Sequence, residues 1–448
     1  MITYSIIQKS QLEGGLRLDA EYYQPEYSNL ISKIKSQKSK VLGELSNIAY
    51  GTTPTGGVFE GKGIPFVRSQ NFSNLLIDTS DLVFCTEKFH HQNKKSAIRH
   101  GDILFAAVGA TIGEVAIVQD EIVEGNINQN IARVRISDKT INPYFVGFFF
   151  ASTPGQLQIE RLMTGNAQPY LNSEQIRSFI VPIFDIELQN KIADYFQEIQ
   201  KQIKLSRNLY SQAENLLLEE LGLRDFKIED DLSYIVNLSD IKSSHRADAE
   251  YFQPKYDKII NALGENKQIL KTVASRKTKK VKIIKEDDYK YIEISDINVG
   301  NGDVSFNVIK GSELPANAKM KIEGGELVVS KVRPTRGAIA IIPDDWNEGF
   351  VASGAFSIFE TESPLREYLQ VVLRSIIGKI QLEKPTTGTS YPTVTDEDIE
   401  NLQIPILLKS AQQKIADLVQ KSHEARSKAK QLLGQAKCKV EQLIEFKK

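Results

Sequence analysis

Several clusters of basic and amide side chains stand where a strand-like run ends or a loop begins, and these are the residue types that hydrogen-bond phosphates and base edges. Arg68-Ser69-Gln70-Asn71 follows the apolar run Ile64–Val67, which puts long polar groups at a strand end, with a solvated turn as the alternative. Lys94, Lys95 and Arg99, with His90, His91 and His100 nearby, form a basic loop suited to phosphates. Adjacent histidines without further ligands at workable spacing do not make a metal site. Arg276, Lys277, Lys279, Lys280, Lys282 and Lys285 fall in a stretch without one acid, which reads as a solvated face or as a grip on a polyanion. Lys331, Arg333 and Arg336 share a short loop and are the stronger candidates for base edges, since Arg and Lys pair with guanine. Tyr170 and Tyr391, each beside a proline, pack on sugars or bases or anchor their loops.

No constellation for catalysis accompanies them. Asn142-Pro143-Tyr144-Phe145 is one proline short of an adenine-methylating motif and reads as a helix start. Gly109 to Gly113 is followed by Glu114, so no phosphate loop exists, and no GxSxG elbow is present. Asp344-Asp345 lacks a neighbouring Glu-x-Lys and reads as a turn before Trp346. The chain is therefore expected to be no enzyme, with no catalytic residue, metal or cofactor of its own.

The elements that position these clusters come in two copies. Arg17 to Tyr27 reads RLDAEYYQPEY and Arg246 to Tyr256 reads RADAEYFQPKY. GDILFAAVGATIGEVAIV from Gly101 corresponds to GELVVSKVRPTRGAIAII from Gly325, and GNAQPYLNSEQIRSFIVPI from Gly165 to GTSYPTVTDEDIENLQIPI from Gly388. QNKIAD at Gln189 matches QQKIAD at Gln412. The spacing drifts from 229 (Arg17 to Arg246) to 223 (Gln189 to Gln412), so the copies differ by small insertions in their middles. Matching ends and diverging middles describe one framework carrying two specialised surfaces, with two copies drifting neutrally as the alternative. Gly51-Thr52-Thr53-Pro54-Thr55-Gly56-Gly57 has no counterpart, since SRKTKKVKIIK stands there in the second copy.

Each copy opens with a short helix after Gln24-Pro25 or Gln253-Pro254, continues as short strands, and returns to helix at Pro143, which makes each an α+β unit. From Ile192 the apolar spacing changes to steps of four and three: Ile192, Phe196, Ile199, Ile203, Ser206, Tyr210, Ala213 and Leu217. The second copy repeats it at Ile415, Val419, Ser422, Arg426, Ala429, Leu433, Ala436, Val440 and Leu443. These are coiled-coil seams with a polar lapse. Two helices of roughly 35 residues, each about 50 Å long, are expected to pair antiparallel and give the chain a pseudo-twofold internal repeat, with each helix packing on its own domain as the alternative.

Length, at 448 residues, agrees with two domains or more, and 41% hydrophobic with 25% charged residues is ordinary for a folded protein. The net charge of -1 argues against a broadly basic surface, although a basic stripe would still serve. Two cysteines, Cys85 and Cys438, exclude a disulfide framework and read as packing residues. No run reaches the 18 apolar residues of a membrane span and no signal peptide opens the chain, so a cytoplasmic protein is expected.

The tandem layout, the GDILFAAVGATIGEVAIV strand pair, the GNAQPYLNSEQIRSFIVPI segment and the ELQNKIADYF helix resemble the specificity subunit of type I restriction enzymes, twice over. The lead-in to each long helix departs from the family's proline-rich pattern and keeps only Pro182 and Pro405. The resemblance implies target-recognition domains at residues 1–185 and 223–408, each reading half of a split site in double-stranded DNA. It implies spacer helices at residues 186–222 and 409–448, which set an interval near one turn of DNA, roughly 34 Å. It also implies partners: two methyltransferase subunits using S-adenosylmethionine, which flip out an adenine in each half-site, and motor-nuclease subunits using ATP with Mg. Two rivals remain, a specificity module of a related phage-defence methyltransferase and a coiled-coil scaffold that reads no DNA.

Overall fold

The computed structural model describes residues 6–9, 12, 18–55, 61–109, 111–163, 169–227, 231–388 and 390–445. Arg17, Gly56, Gly57, Ala110, Gly165, Asn166, Ala167, Gln168 and Thr389, singled out above, lie outside the described residues. The chain divides into two compact units, Met1–Lys204 with Ala425–Lys448, and Leu205–Glu424.

The first unit begins with α1 (Pro25–Lys35), whose proline sits in the first turn where no backbone donor is lost. There follow β1 (Ser39–Val41), α2 (Leu42–Leu45), β2 (Ser46–Tyr50) and β3 (Ile64–Val67). Next come β4 (Phe72–Ser73), β5 (Leu76–Ile77), β6 (Val83–Cys85), α3 (Glu87–Gln92) and β7 (Ala97–Ile98). The chain continues through β8 (Ile103–Ala106), β9 (Val115–Ile117), β10 (Gly125–Ile127) and β11 (Ile131–Ile136). It then turns helical in α4 (Pro143–Ala151), α5 (Thr153–Leu162) and α6 (Ser173–Ser178) before β12 (Ile180–Pro182) and the long α7 (Ile186–Glu220).

The second unit runs α8 (Leu238–Ser244), α9 (Pro254–Ala262), β13 (Lys267–Ile269), α10 (Leu270–Val273), β14 (Ser275–Lys277) and β15 (Asp288–Ile292). It continues β16 (Asn307–Lys310), β17 (Ala318–Lys321), β18 (Leu327–Ser330), β19 (Ile339–Ile341), β20 (Phe350–Ser353) and β21 (Phe356–Glu360). Helices α11 (Leu365–Arg374), α12 (Ile376–Glu383) and α13 (Asp396–Glu400), strand β22 (Gln403–Pro405) and the long α14 (Lys409–Glu445) complete the chain.

Sheet order makes the duplication explicit. β2-β11-β8-β9 in the first unit is matched by β14-β21-β18-β19 in the second, β6-β3-β10-β7 by β16-β15-β20-β17, and β1-β12 by β13-β22. Even the exception recurs: β3 with β10, and β15 with β20, run parallel while all other neighbours in these sheets run antiparallel.

Burial on both faces explains the continuous apolar runs DILFAAV and ELVVS, because a strand covered on two sides cannot alternate. Ile103 and Phe105 of β8 face Phe145, Phe148, Phe149 and Phe150 of α4, while Leu104 joins Val67, Ile98, Ala116 and Ile127 on the side of the other sheet. In the second unit Leu327 and Val329 face the helices and Val328 joins Ile292, Ala340 and Ala352. Each unit is thus a helical layer, a sheet and a second sheet.

The matched segments hold the layers together by the same hydrogen bonds. Gln158 exchanges both amide hydrogen bonds with the backbone of Ile180, and Gln381 does so with Gln403. Buried Gln189 donates to the carbonyl of Phe184 and Gln412 to that of Leu407, tying the start of each long helix to the preceding loop. Gly155 and Gly378 let two helices meet at their backbones: a Cβ would lie 2.3 Å from the Phe149 carbonyl oxygen or 2.2 Å from that of Leu373.

Each unit takes in half of each long helix. In the first, Ile192, Phe196 and Ile199 share a cluster with Ala429, Leu433, Ala436 and Val440, and half-buried Ile203 packs against it. Lys428 reaches Glu198 at 3.9 Å while Lys439 lies 4.9 Å from the Tyr195 ring, so α14 descends as α7 rises. In the second, Ala213 and Leu217 join Ile415 and Val419, with half-buried Tyr210 against them. The polar lapse is satisfied there: the Ser206 and Ser422 hydroxyls lie 2.9 Å apart, and Ser422 Oγ donates to the Ser206 carbonyl at 2.8 Å. Cys85 is buried as expected, whereas Cys438 is exposed on α14, because it falls outside the a/d seam. Among the described residues no helix is long and apolar enough to cross a membrane.

Candidate nucleic-acid interface

In the first unit β3 ends at Val67, and Arg68 leads into a 3-10 turn, Ser69–Asn71. Asn71 builds that turn: its Oδ1 accepts from the Arg68 amide at 2.9 Å and its Nδ2 donates to the Asp81 carbonyl at 3.1 Å. Asn71 is buried, so its amide is spent inside the protein. Arg68 Nη2 donates to the Asp81 carbonyl at 2.9 Å and to its carboxylate at 3.3 Å, and Gln70 Nε2 reaches the same carboxylate at 3.4 Å. Asp81 therefore gathers Arg68 and Gln70 side by side; Gln70 is exposed and Ser69 half-buried. The matching turn in the second unit is Ile294–Asp296 after Glu293, acidic where the first is basic.

Lys94 and Lys95 occupy the turn Lys94–Ser96, and Arg99 follows β7; all three are exposed, and no carboxylate pairs with their side chains among the described residues. A buried network underneath fixes the turn. Asn126 of β10 donates to Ser96 Oγ at 2.8 Å and to the Asn93 carbonyl at 3.3 Å, and its Oδ1 meets His90 Nδ1 at 2.6 Å. His90 is consequently turned inward. His100 is held by Asp120 at 2.5 Å and Tyr144 at 2.6 Å, which leaves exposed His91 as the histidine of this loop. No cluster able to hold a metal ion occurs among the described residues.

The basic run of the second unit separates into two parts. Arg276 on β14 bonds Glu400 and lies 3.6 Å from Asp396, and Lys277 pairs with Glu360 at 3.2 Å and Glu326 at 3.6 Å. The hydrogen bond that Arg276 donates to Glu400 raises the Arg276 pKa, and the one Lys277 donates to Glu360 raises the Lys277 pKa. These two cations lie in ion pairs on the sheet. Lys279, Lys280, Lys282 and Lys285, just beyond the strand, are exposed and no carboxylate pairs with them among the described residues.

The third cluster sits between β18 and β19. Lys331 Nζ pairs with Asp396 Oδ1 at 3.2 Å. Burial alone would push the Asp396 carboxyl up, but hydrogen bonds from Ser357 and Lys331, with Arg276 nearby, hold it below its ordinary value. Lys331 thus ties its loop to the start of α13. Arg333 has φ +48, a left-handed conformation that side chains other than glycine rarely adopt. Its amide donates to the Pro392 carbonyl at 2.7 Å, its Nη2 donates to the Ser390 carbonyl at 3.1 Å, and its guanidinium lies 4.4 Å from the centroid of the exposed Tyr391 ring. Arg336 is exposed and no carboxylate pairs with it among the described residues; it lies in the short turn Pro334–Arg336 that Gly337 closes at φ +85.

The first unit has the same frame without the charges. Val108 bridges Tyr170 as Val332 bridges Thr393, and the Leu171 amide donates to Ala107 as the Val394 amide donates to Lys331, both at 2.9 Å. Position by position, Ala107 and Ser173 stand where the second unit has Lys331 and Asp396, and Gly109, at φ +103, stands where it has Arg333. The backbone demands a left-handed residue here. Glycine meets that demand freely, whereas an arginine at the same place meets it at a cost in backbone strain. Tyr391, a ring beside a proline in a matched segment, completes the group.

The family model of the type I restriction modification DNA specificity domain matches the chain twice, at residues 35–215 and 263–432. The EcoBI type I restriction enzyme specificity subunit of Escherichia coli is 28% identical over 176 residues, 38% of this chain and 36% of that protein. The HindI specificity subunit of Haemophilus influenzae (strain ATCC 51907 / DSM 11121 / KW20 / Rd) is 26% identical over 131 residues, 27% of this chain and 28% of that one. The matched stretches thus span about a third of these relatives' lengths. A crystal structure of a type I restriction-modification S subunit from M. genitalium covers 91% of this chain and 95% of its own, at 12% identity and a TM-score of 0.40. With two copies of its domain filling most of the sequence, the chain belongs to the type I restriction modification DNA specificity domain family.

Proposed function

We propose that this chain is the DNA-reading subunit of a type I restriction-modification complex, each unit reading one half of a split site in double-stranded DNA. The observation that carries this reading is the matched position that holds Gly109 in one unit and Arg333 in the other, one frame with two different reading heads. In the second unit Arg333 and Arg336 reach base edges, Lys331 braces the loop, and Lys279 and Lys280, with Lys282 and Lys285, hold phosphates. Lys277 supports the sheet behind them. In the first unit Arg68, Ser69 and Gln70 face bases, Asn71 shapes their turn, and Lys94, Lys95 and Arg99 take phosphates. Phosphate contacts fix register and base contacts specify, so the two classes have separable signatures.

The residues of the two seams (Ile192, Phe196, Ile199, Ile203, Tyr210 and Leu217 with Ile415, Val419, Leu433 and Val440) pair the long helices, which space the half-sites and dock two methyltransferase subunits. Methylation with S-adenosylmethionine, and cleavage with ATP and Mg, belong to those partners and to motor-nuclease subunits. The complex works in the cytoplasm.

Selection from randomised duplexes by the full chain with its methyltransferase tests the reading: two short motifs at a fixed interval are expected, and binding without sequence preference would favour a scaffold. Changing Lys279, Lys280, Lys282 or Lys285 to alanine should weaken binding uniformly across sequences. Each change should lower the slope of log affinity against log salt by about one, measured by titration at several salt concentrations. A change in the selected motif instead would move that lysine to the base-reading group.

A further inference from the structure

Helix α11 of the second unit carries a buried cation that the reading above leaves unused. Arg374 is 7% exposed, and no carboxylate pairs with it among the described residues. Its Nη1 donates to the carbonyls of Gly337 at 2.6 Å and Ile339 at 3.0 Å, and its Nη2 to that of Val299 at 2.9 Å. The guanidinium lies 5.5 Å from the ring centroid of Tyr210 on α7. One turn earlier, Gln370 is fully buried and among the described residues neither of its amide atoms has a partner, nor has Arg374 Nε an acceptor. Gly302 passes close over both: a Cβ there would meet Gln370 Nε2 at 3.0 Å and Arg374 Nη1 at 3.2 Å.

The frame itself does not require this arrangement. The matched positions in the first unit are Gly147 and Ala151, and Ile117 packs so tightly over Gly147 that a Cβ would fall 2.4 Å from its Cδ1. Where the first unit has Ala151 packed against its apolar cluster, the second has a cation without a carboxylate, which is an expensive exchange for packing alone. What the cation gains is position. Gly337 closes the turn Pro334–Arg336, Ile339 opens β19, and Val299 lies in the loop between β15 and β16. One planar group with donors in a fixed fork therefore ties the root of the basic loop to a neighbouring loop and to the helix layer.

We propose that Arg374 is a positioning residue that sets the loop bearing Arg333 and Arg336 at the angle needed for base reading, a specificity role peculiar to the second unit. It rests on the function proposed above. A site built to read a base edge tolerates little displacement of the arginine that reads it, so loosening the root costs discrimination before it costs folding.

The test uses the full chain with its methyltransferase, comparing wild type with Arg374→Met and Arg374→Lys. Discrimination against single mismatches is read in each half-site, together with salt dependence and the thermal midpoint. In the half that Arg333→Ala alters, Arg374→Met should lower discrimination by roughly tenfold, with the other half and the salt slope unchanged. Arg374→Lys, which keeps the charge but not the fork, should fall between, and it decides the matter if Arg374→Met does not fold. Unchanged discrimination in a folded variant, or equal loss in both halves, overturns the proposal. A wild-type complex that selects no split site defeats the proposed function itself, which the variants alone cannot do.

Discussion

Arg333→Ala should relax the base preference of one half-site and leave the other half intact. A good bidentate contact from arginine to guanine discriminates by about 1–3 kcal/mol, so preference at one or two positions should fall roughly fivefold to a hundredfold. The effect is expected to be larger for Arg333 than for Arg336. Arg333 is already immobilised by the Pro392 and Ser390 carbonyls and the Tyr391 ring, so it loses little freedom on binding, whereas Arg336 must be ordered. Lys331→Ala should act differently, because it removes a brace from Asp396 and not a reading group. Selection from randomised duplexes, wild type against each variant, separates the cases. Uniform weakening by Arg333→Ala would return that residue to the phosphate-binding class.

Phe196→Ala should destabilise the first unit by about 3–5 kcal/mol, the range for removing a fully buried aromatic ring. The ring is fully buried and stacks on Tyr144 at 4.7 Å and edge-on to Phe148 at 6.5 Å, in a cluster that also takes in Ala436 and Val440. One side chain thus supports both the helix pairing and the domain core. At the matched position the second copy has Val419, where truncation removes far less surface and should cost less. Chemical denaturation of the full chain checks this, and a loss under about 1 kcal/mol for Phe196→Ala would mean that the cluster repacks around the cavity.

The duplicated frame was open to reading from the sequence because it is written in apolar periodicity and in repeated words such as QNKIAD and QQKIAD. Those words turn out to encode hydrogen bonds of Gln189 and Gln412 to the preceding loop. Ser206 and Ser422 could both be read as polar places in the two seams, but not that they meet, because pairing across two distant helices leaves no local trace. Charge was the harder matter. The run from Arg276 to Lys285 reads as one cluster, yet Arg276 and Lys277 meet carboxylates more than 40 residues away in sequence while the next four lysines do not. Asn71 and His90 likewise belong to candidate loops by sequence and to buried networks by structure, since nothing in a list of residues says which way a side chain turns. Arg333 was accessible through its alignment with Gly109, and the left-handed backbone gives that alignment its meaning.

The most direct test of the central claim is adenine-methylation mapping of DNA from cells that express this chain with its adjacent methyltransferase, repeated with Arg333 and Arg336 changed to alanine. A split methylated motif that depends on the chain, with one half relaxed by the double change and the other preserved, is the predicted result. Methylation that shows no split motif, or that persists unchanged without this chain, would contradict it.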